Sequence, residues 1–203
     1  LTASDFRLPA EPGKHTANVI GVIENQAPTR HLRLEVDAPG GEIRTDISRD
    51  LAKVALVERH RGPGAVQVGL VQGFGFQAKC AVASTVAHDS HQMVVVGTDE
   101  AEMALAANRL AEIGGGQLMV RDGQVIGQVA LPIAGIMSNN PAHEVAHQAA
   151  TILEGFKACG CNLNNPNMQL SLLALVVIPE LRISDLGLVD VTRFEFIPVL
   201  EKG

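Results

Sequence analysis

The sequence predicts an α+β fold in which a mixed β-sheet is combined with two main helices, and three observations support this. Two valine-rich apolar runs, Ala81–Ala87 and Met93–Val96, are too short for helices and suit buried strands. The segment Glu100–Ile113 places apolar residues at helical spacing behind the N-cap pair Thr98-Asp99. Strand patterns dominate the first half of the chain, whereas helices and hairpins follow.

The first part of the chain is predicted to form strands. Asn18–Asn25 is one, and His31–Val36 is another because its apolar and polar side chains alternate. Asp50–Glu58 is apolar and fits a strand or a helix, and we prefer a strand. A break at Arg61–Gly64 separates it from a further short strand, Val66–Val71.

The second half is predicted to contain a hairpin, a second helix and buried apolar chain. Gln117–Leu131 forms the hairpin around an Asp-Gly turn, and Ala142–Ala158 forms the helix behind a proline. Asn162–Asn167 is predicted to be a loop. The uninterrupted apolar run Leu170–Ile178 is expected to be a buried strand or segment, and Arg193–Leu200 a last strand.

Composition excludes several classes of partner. The chain has 203 residues, 46% of them hydrophobic, and a net charge of −6, which argues against binding nucleic acid or an anionic membrane. No apolar run approaches the roughly 18–20 residues that cross a bilayer. An odd number of cysteines without a secretory leader does not indicate a disulfide framework. We therefore expect a reducing, cytoplasmic location.

Two motifs resemble metal sites without completing one. His143-Glu144-x-x-His147 is an H-E-x-x-H pattern, which on a helix can bind zinc and would indicate a metallopeptidase. No third ligand is evident, so a solvated helix face is the preferred interpretation and zinc peptidase the alternative. The pair Cys159-Gly-Cys161 has no second pair and is interpreted as two ordinary thiols. We predict no metal ligand in this chain.

A polar segment, His88-Asp89-Ser90-His91, separates the two valine-rich runs. Burying two imidazoles and a carboxylate between strands is costly unless they are paired or hydrated. The segment is therefore expected at a strand end, facing a pocket or a partner. The alternative is a self-satisfied turn in which Asp89 caps backbone N–H groups and the histidines bond to carbonyls.

The chain resembles the C-terminal region of the adenine deaminase family, a branch of the amidohydrolase superfamily. The resemblance extends over nearly the whole chain, and the blocks AHDSH and LPIAG are specific in their order and spacing. The matching blocks are Ala17–Leu32, VERH at Val57–His60, GFGF at Gly73–Phe76, Val82–Thr98, NRLAEIGGG at Asn108–Gly116, LPIAGIMS at Leu131–Ser138, and Ile178–Val191.

The resemblance implies that adenine is hydrolysed to hypoxanthine and ammonia with the help of a divalent metal, Mn, Fe or Zn. In the superfamily the metal is held by a (β/α)₈ barrel, and that barrel is absent from this chain. Residues 1–50 are then expected to be a linker and strands of the small β domain after the barrel. Residues 51–203 would be the C-terminal α+β domain, inactive when alone.

The resemblance also suggests what the polar segment does. We expect His88, Asp89 and His91 to act as accessory catalytic residues, and Ser90 and Gln92 to contact the purine. Members of the family commonly carry Asn where this chain has Gln92. The alternatives are that the segment only attaches the domain to the barrel, or that the domain serves oligomerisation or as a scaffold. Adenine, the barrel and further copies of the enzyme are the expected partners.

Overall fold

The computed structural model describes residues 1–62 and 64–201 of the chain. Its strands, in chain order, are β1 (Leu8–Pro9), β2 (Lys14–Val22), β3 (Thr29–Asp37), β4 (Glu42–Ile43), β5 (Leu51–Val57), β6 (Val66–Gln72), β7 (Cys80–Ser84), β8 (Met93–Gly97), β9 (Gly116–Arg121), β10 (Gln124–Ala130), β11 (Leu181–Ser184), β12 (Gly187–Asp190) and β13 (Glu195–Ile197). The α-helices are α1 (Glu100–Glu112), α2 (Ala142–Ala158) and α3 (Pro166–Leu172).

The described strands form one large sheet and two small ones. The large sheet has eight strands in the order β10-β9-β7-β8-β5-β6-β2-β3. Its neighbours are antiparallel except for β2 and β6, which run parallel, so the sheet is mixed. The small sheets are β1-β4 and β11-β12-β13. The predicted α+β class is therefore confirmed, and the described residues contain no (β/α)₈ barrel.

Both faces of the large sheet are covered around its central strand β5, in which all seven residues are buried. Val54 and Leu56 belong to a core shared with α2, α3 and the three-stranded sheet. Ala55 and Val57 belong to a second core, which α1 covers. Strands buried on both faces need no polar alternation, which explains the continuous apolar runs in the sequence.

Helix α2 covers the edge strand β10. The backbone N–H of Gln128 donates to Thr151 Oγ1 over 3.1 Å, and the N–H of Ala130 donates to Gln148 Oε1 over 3.2 Å. The helix lies so close that a Cβ at Gly127 would be 2.6 Å from the Thr151 carbonyl oxygen. These contacts occupy amide groups that an exposed edge would leave open to another chain.

The opposite edge strand, β3, is covered by the segment that leads into β11. Thr29 N–H donates to the Pro179 carbonyl over 3.0 Å, and Glu180 N–H donates to the Thr29 carbonyl over 3.2 Å. The Glu180 carboxylate accepts from His31 N–H over 2.6 Å. Both edges of the sheet are thus partly covered by the same chain.

Most of the predicted elements are present. The first-half strands, including β5, are confirmed, and β13 is a short form of the predicted last strand. Asp99 begins α1 by accepting from two backbone N–H groups. The hairpin β9–β10 turns at Asp122-Gly123, where both residues have positive φ. Within the predicted break before β6, Pro63 lies outside the described residues.

The run Leu170–Ile178, predicted to be a buried strand or segment, is not a strand. Helix α3 occupies Pro166–Leu172, and turns follow it. The helix begins inside the predicted loop, where Asn165 accepts from Met168 N–H and Pro166 occupies the first turn. The run is apolar because Leu170 and its neighbours are buried, and an apolar run alone does not distinguish a strand from a short buried helix.

The assignment of residues 1–50 and 51–203 to two different domains stays a prediction. In this chain β2 and β3, which precede residue 50, lie in the same sheet as β5 and β6, which follow it. None of the described helices is long and apolar enough to cross a membrane.

Arg182 is buried in β11 and organises the irregular segment before it. Its guanidinium donates to the carbonyl oxygens of Ile178, Leu172 and Ala27 over 2.8, 2.8 and 2.5 Å, and to Pro179 at 3.3 Å. Burial lowers the pKa of this guanidinium to about 10. Its donors give the Ile178 and Ala27 carbonyls a partner, whereas the Leu172 and Pro179 carbonyls also accept from the N–H groups of Leu175 and Thr29.

We expect Arg182→Met to lower the free energy of unfolding by about 3 kcal/mol, because it leaves the Ile178 and Ala27 carbonyls without this donor. Urea denaturation followed by circular dichroism measures the change. Arg193→Met is the matched control, since Arg193 is exposed and pairs with Glu195 at the surface. The control is expected to stay within about 0.5 kcal/mol of wild type. Equal effects of the two substitutions would contradict the assigned role.

Glu102, in the first turn of α1, is a buried carboxyl with an incomplete set of partners. One oxygen accepts from Gly123 N–H over 2.8 Å, while Oε2 has no hydrogen-bond partner in the described part of the chain. Burial raises the pKa of Glu102 above its ordinary value, and the nearby Asp99 and Asp122 raise it further. The folded state therefore holds this proton more tightly than the unfolded chain does.

The free energy of unfolding should consequently fall as the pH rises from the ordinary pKa of a Glu side chain through the raised pKa of Glu102. We expect Glu102→Gln to raise the Tm at pH 7, and this gain to disappear at acidic pH where Glu102 is protonated in both states. Thermal melts between pH 3.5 and 7.5 test this. The control is Glu112→Gln, at an exposed carboxylate paired with Arg109. A gain that is constant across this range would refute the titration argument.

Candidate functional site

Three connections converge at one end of the large sheet. β5, β7 and β10 run in the same direction, because each is separated from the next by one antiparallel strand. Their carboxyl ends therefore lie at the same end of the sheet. Arg59 follows β5, the polar loop (His88–His91) follows β7, and the apolar loop (Pro132–Ser138) follows β10.

The polar loop is attached to α3 through His88. The His88 N–H donates to the Ser171 carbonyl over 3.1 Å, and His88 Nδ1 lies 2.9 Å from Ser171 Oγ. These two contacts fix the direction of the imidazole. The ring nitrogen left to bind a ligand or transfer a proton is Nε2.

The structure brings the two predicted histidines together. The ring centroids of His88 and His91 are 6.1 Å apart, with the rings edge to face. His91 has a positive φ of 49° and donates its N–H to the Ala87 carbonyl over 2.7 Å. Its Nδ1 atom is buried and has no hydrogen-bond partner within residues 1–62 and 64–201. Asp89 and Ser90 are exposed beside the rings.

Gln92, predicted to contact substrate, lies below the polar loop and is 5% exposed. Its Oε1 atom accepts from Arg59 N–H over 2.8 Å, and its Nε2 atom lies 3.5 Å from Asp185 Oδ2. Its side chain therefore supports the loop from inside the protein, whereas Ser90 lies on the surface.

The apolar loop presents hydrophobic side chains beside the polar loop. Ile133, Ile136 and Met137 are 45%, 37% and 54% exposed. The backbone beneath them is fixed, since Thr85 Oγ1 donates to the Gly135 carbonyl over 2.6 Å. The loop is thus an ordered apolar surface.

Arg59 connects the two loops. Its Nε donates to the His91 carbonyl over 2.5 Å, and its Nη2 donates to the Ala134 carbonyl over 2.8 Å. Partial burial lowers the pKa of this guanidinium below its ordinary value. Among the described residues no carboxylate lies within 4 Å of it.

Sequence reasoning missed Arg59, Thr85 and Ser171 as members of this site. Arg59 lies in the VERH block and Thr85 in the long AHDSH block, so the family resemblance includes both residues. The resemblance did not indicate what either side chain does. Ser171 lies in an apolar run and carried no signal of its own. The self-satisfied turn predicted as the alternative is not observed for Asp89, because its exposed carboxylate accepts from no backbone N–H of the described residues.

The described residues offer no metal centre. They contain no group of three or more His, Cys, Asp or Glu side chains that could hold an ion. His143, Glu144 and His147 are exposed in the first turns of α2, as expected for a solvated helix face. The donor set of the described residues therefore does not fit the metal that the family resemblance implies.

The cysteines are buried thiols. Cys80, Cys159 and Cys161 are free and at most 1% exposed. Burial raises the pKa of Cys161 to about 11, so that thiol stays protonated at neutral pH. This agrees with the interpretation of Cys159-Gly-Cys161 as ordinary core residues.

Comparison with known families gives one match. The profile of the family described as adenine deaminase C-terminal domain matches residues 26–195. The match includes Arg59, the polar loop, the apolar loop and Ser171.

Similar curated proteins are named adenine deaminase. The protein from Ruegeria sp. (strain TM1040) is 59% identical over 203 residues, which are 99% of this chain and 33% of the relative. The protein from Roseobacter denitrificans is 58% identical over 99% of this chain and 34% of the relative. The protein from Moorella thermoacetica is 47% identical over 98% of this chain and 34% of the relative. The chain thus spans about a third of the length of these relatives.

Proposed function

The chain belongs to the adenine deaminase C-terminal domain family, and from this membership we propose that it is the C-terminal part of an adenine deaminase. The whole enzyme would hydrolyse adenine to hypoxanthine and ammonia. The observation that carries the proposal is the match of nearly the whole chain to about a third of several proteins of that name.

The metal chemistry is assigned to the remaining two thirds of the enzyme. A divalent ion, Mn, Fe or Zn, would activate the attacking water there. This chain supplies no ligand group for it in the described residues. A cytoplasmic location and a homo-oligomeric state also remain predictions.

We assign to this chain the closing of the purine pocket from one side. The polar loop supports this assignment, because imidazoles are the side chains best suited to proton transfer near neutral pH. Ser171 directs the His88 ring and leaves Nε2 free to bind a purine nitrogen or deliver a proton to departing ammonia. Asp89 and Ser90 are exposed at the same place and are the other candidates for substrate contact.

The apolar loop supports packing against the catalytic part. Ile133, Ile136 and Met137 are exposed on a fixed backbone next to the polar loop. Covering them would exclude water from the surroundings of the histidines, which strengthens polar interactions with a substrate.

A second candidate function is oligomerisation. Leu186, Phe194 and Phe196 on the three-stranded sheet are 71%, 75% and 59% exposed. Leu186 follows Asp185, whose carboxylate lies 3.5 Å from Gln92 Nε2, so this end of the three-stranded sheet adjoins the polar loop. The three exposed side chains favour a subunit contact that is compatible with the pocket role and does not require it.

The assignment to adenine deaminase is tested with a chimera. The matching third of the Ruegeria sp. enzyme is replaced by this chain, and ammonia release from adenine is measured with Mn²⁺ present. We expect turnover within about tenfold of the parent, because 59% of the residues in the exchanged third are identical. The chain alone and the parent without its matching third are the controls, both expected inactive. A folded, metal-loaded chimera without turnover beside an active parent would contradict the assignment.

The pocket role is tested by His88→Asn in the same chimera. Asn can retain the contact that Nδ1 makes with Ser171, but it loses the proton-transferring Nε2. We expect kcat to fall by about 10²–10⁴-fold with little change in Tm. The matched control is His143→Asn on the exposed face of α2, which should leave turnover unchanged. Unchanged turnover with a lower Tm in the His88 variant would reduce the polar loop to a structural attachment.

A further inference from the structure

We infer that Arg59 is a positioning residue that holds the polar and apolar loops in one fixed arrangement and thereby sets the position of the His91 ring. The inference rests on the proposed function and adds a residue to it. Arg59 lies two residues after the end of β5, so its backbone is anchored close to a strand that is buried at every residue. From there its side chain reaches one carbonyl in each loop.

The two carbonyls that Arg59 binds belong to residues in an uncommon backbone conformation. His91 has a φ of 49° and Ala134 a φ of 56°, and neither is a glycine. Residues with side chains adopt this left-handed region only at a cost, so something must favour it. In each loop the guanidinium of Arg59 accounts for part of that preference, by binding the carbonyl that this conformation presents.

The shape of the guanidinium matters as well as its charge. Nε and Nη2 donate in separate fixed directions, to His91 and Ala134 respectively. A lysine ammonium has one nitrogen and a flexible stem, so it does not reproduce this geometry. Gly135 leaves room for the group, since a Cβ there would lie 2.9 Å from Nη2.

Arg59 also closes the base of the polar loop. Its backbone N–H donates to Gln92 Oε1, and its side chain binds the residue just before Gln92. No carboxylate competes for the guanidinium in the described residues, so its donors are committed to the loops. Loss of Arg59 should therefore release both loops, while the strands below them stay in place.

The test is Arg59→Lys in the full-length chimera, with Arg61→Lys at an exposed neighbouring arginine as the matched control. We expect the Arg59 variant to lose about 10- to 100-fold in kcat, with KM changed less than about threefold and Tm nearly unchanged. The control should behave as the parent chimera. A loss of Tm without a loss of kcat would overturn the inference, because a purely structural role predicts that result.

A second substitution tests the backbone argument. Ala134→Gly lets the apolar loop keep its positive φ without help from Arg59. Added to Arg59→Lys, it should raise kcat severalfold above that of Arg59→Lys alone. Absence of any rescue would show that Arg59 does not act through the conformation of Ala134.

Amide hydrogen exchange supplies a measurement that does not depend on turnover. In Arg59→Lys the N–H groups of His91 and Met137, which bond within their loops, should exchange at least about tenfold faster, with β5 and β8 unchanged. Unchanged exchange at both positions would overturn the inference.

The outcomes separate this inference from the proposed function. If His88→Asn abolishes turnover and Arg59→Lys does not, the pocket role stands and the role of Arg59 falls. If neither His88→Asn nor Arg59→Lys affects turnover, the pocket role itself fails.

Discussion

The burial of β5 on both faces is the constraint on which the rest of the structure depends. With α1 on one side and α2, α3 and the three-stranded sheet on the other, the middle of the sheet has no face for polar function. Polar side chains must therefore lie at the strand ends or be paired inside the protein. Lys53 is an example of a paired group, since it is fully buried on β5 and its Nζ lies 2.6 Å from Glu100 and 3.3 Å from Glu42.

The polar and apolar loops are examples of polar or exposed groups placed at the ends of strands. Because β5, β7 and β10 point the same way, their connections meet at one end, although they come from distant parts of the sequence. Arg59 and Ala134 are 75 residues apart yet joined by a hydrogen bond. Residues outside the polar loop contact it at three positions, since Arg59, His60 and Ser171 hydrogen-bond to His91, Ser90 and His88. The site is therefore a property of the sheet register more than of any one motif.

Much of the fold was predicted correctly from local sequence patterns. The Asp99 cap, the Asp122-Gly123 turn and the valine-rich strands are decided by residues close in sequence, so the sequence alone sufficed for them. The region around Leu170 failed because burial on all sides removes the periodicity that distinguishes helix from strand. The partners of His88 and His91 were not predictable, because Ser171 and Arg59 act across 83 and 32 residues.

The covered sheet edges have a consequence for how this domain meets other chains. Gln148 and Thr151 occupy amide groups of β10, and the Pro179-Glu180 segment occupies those of β3. A neighbouring molecule cannot extend the sheet at these positions by adding a strand. At these positions association has to use side-chain surfaces, whose specificity comes from shape and not from generic backbone pairing. These positions of β10 and β3 are therefore closed to the strand-by-strand growth by which sheets form fibrils.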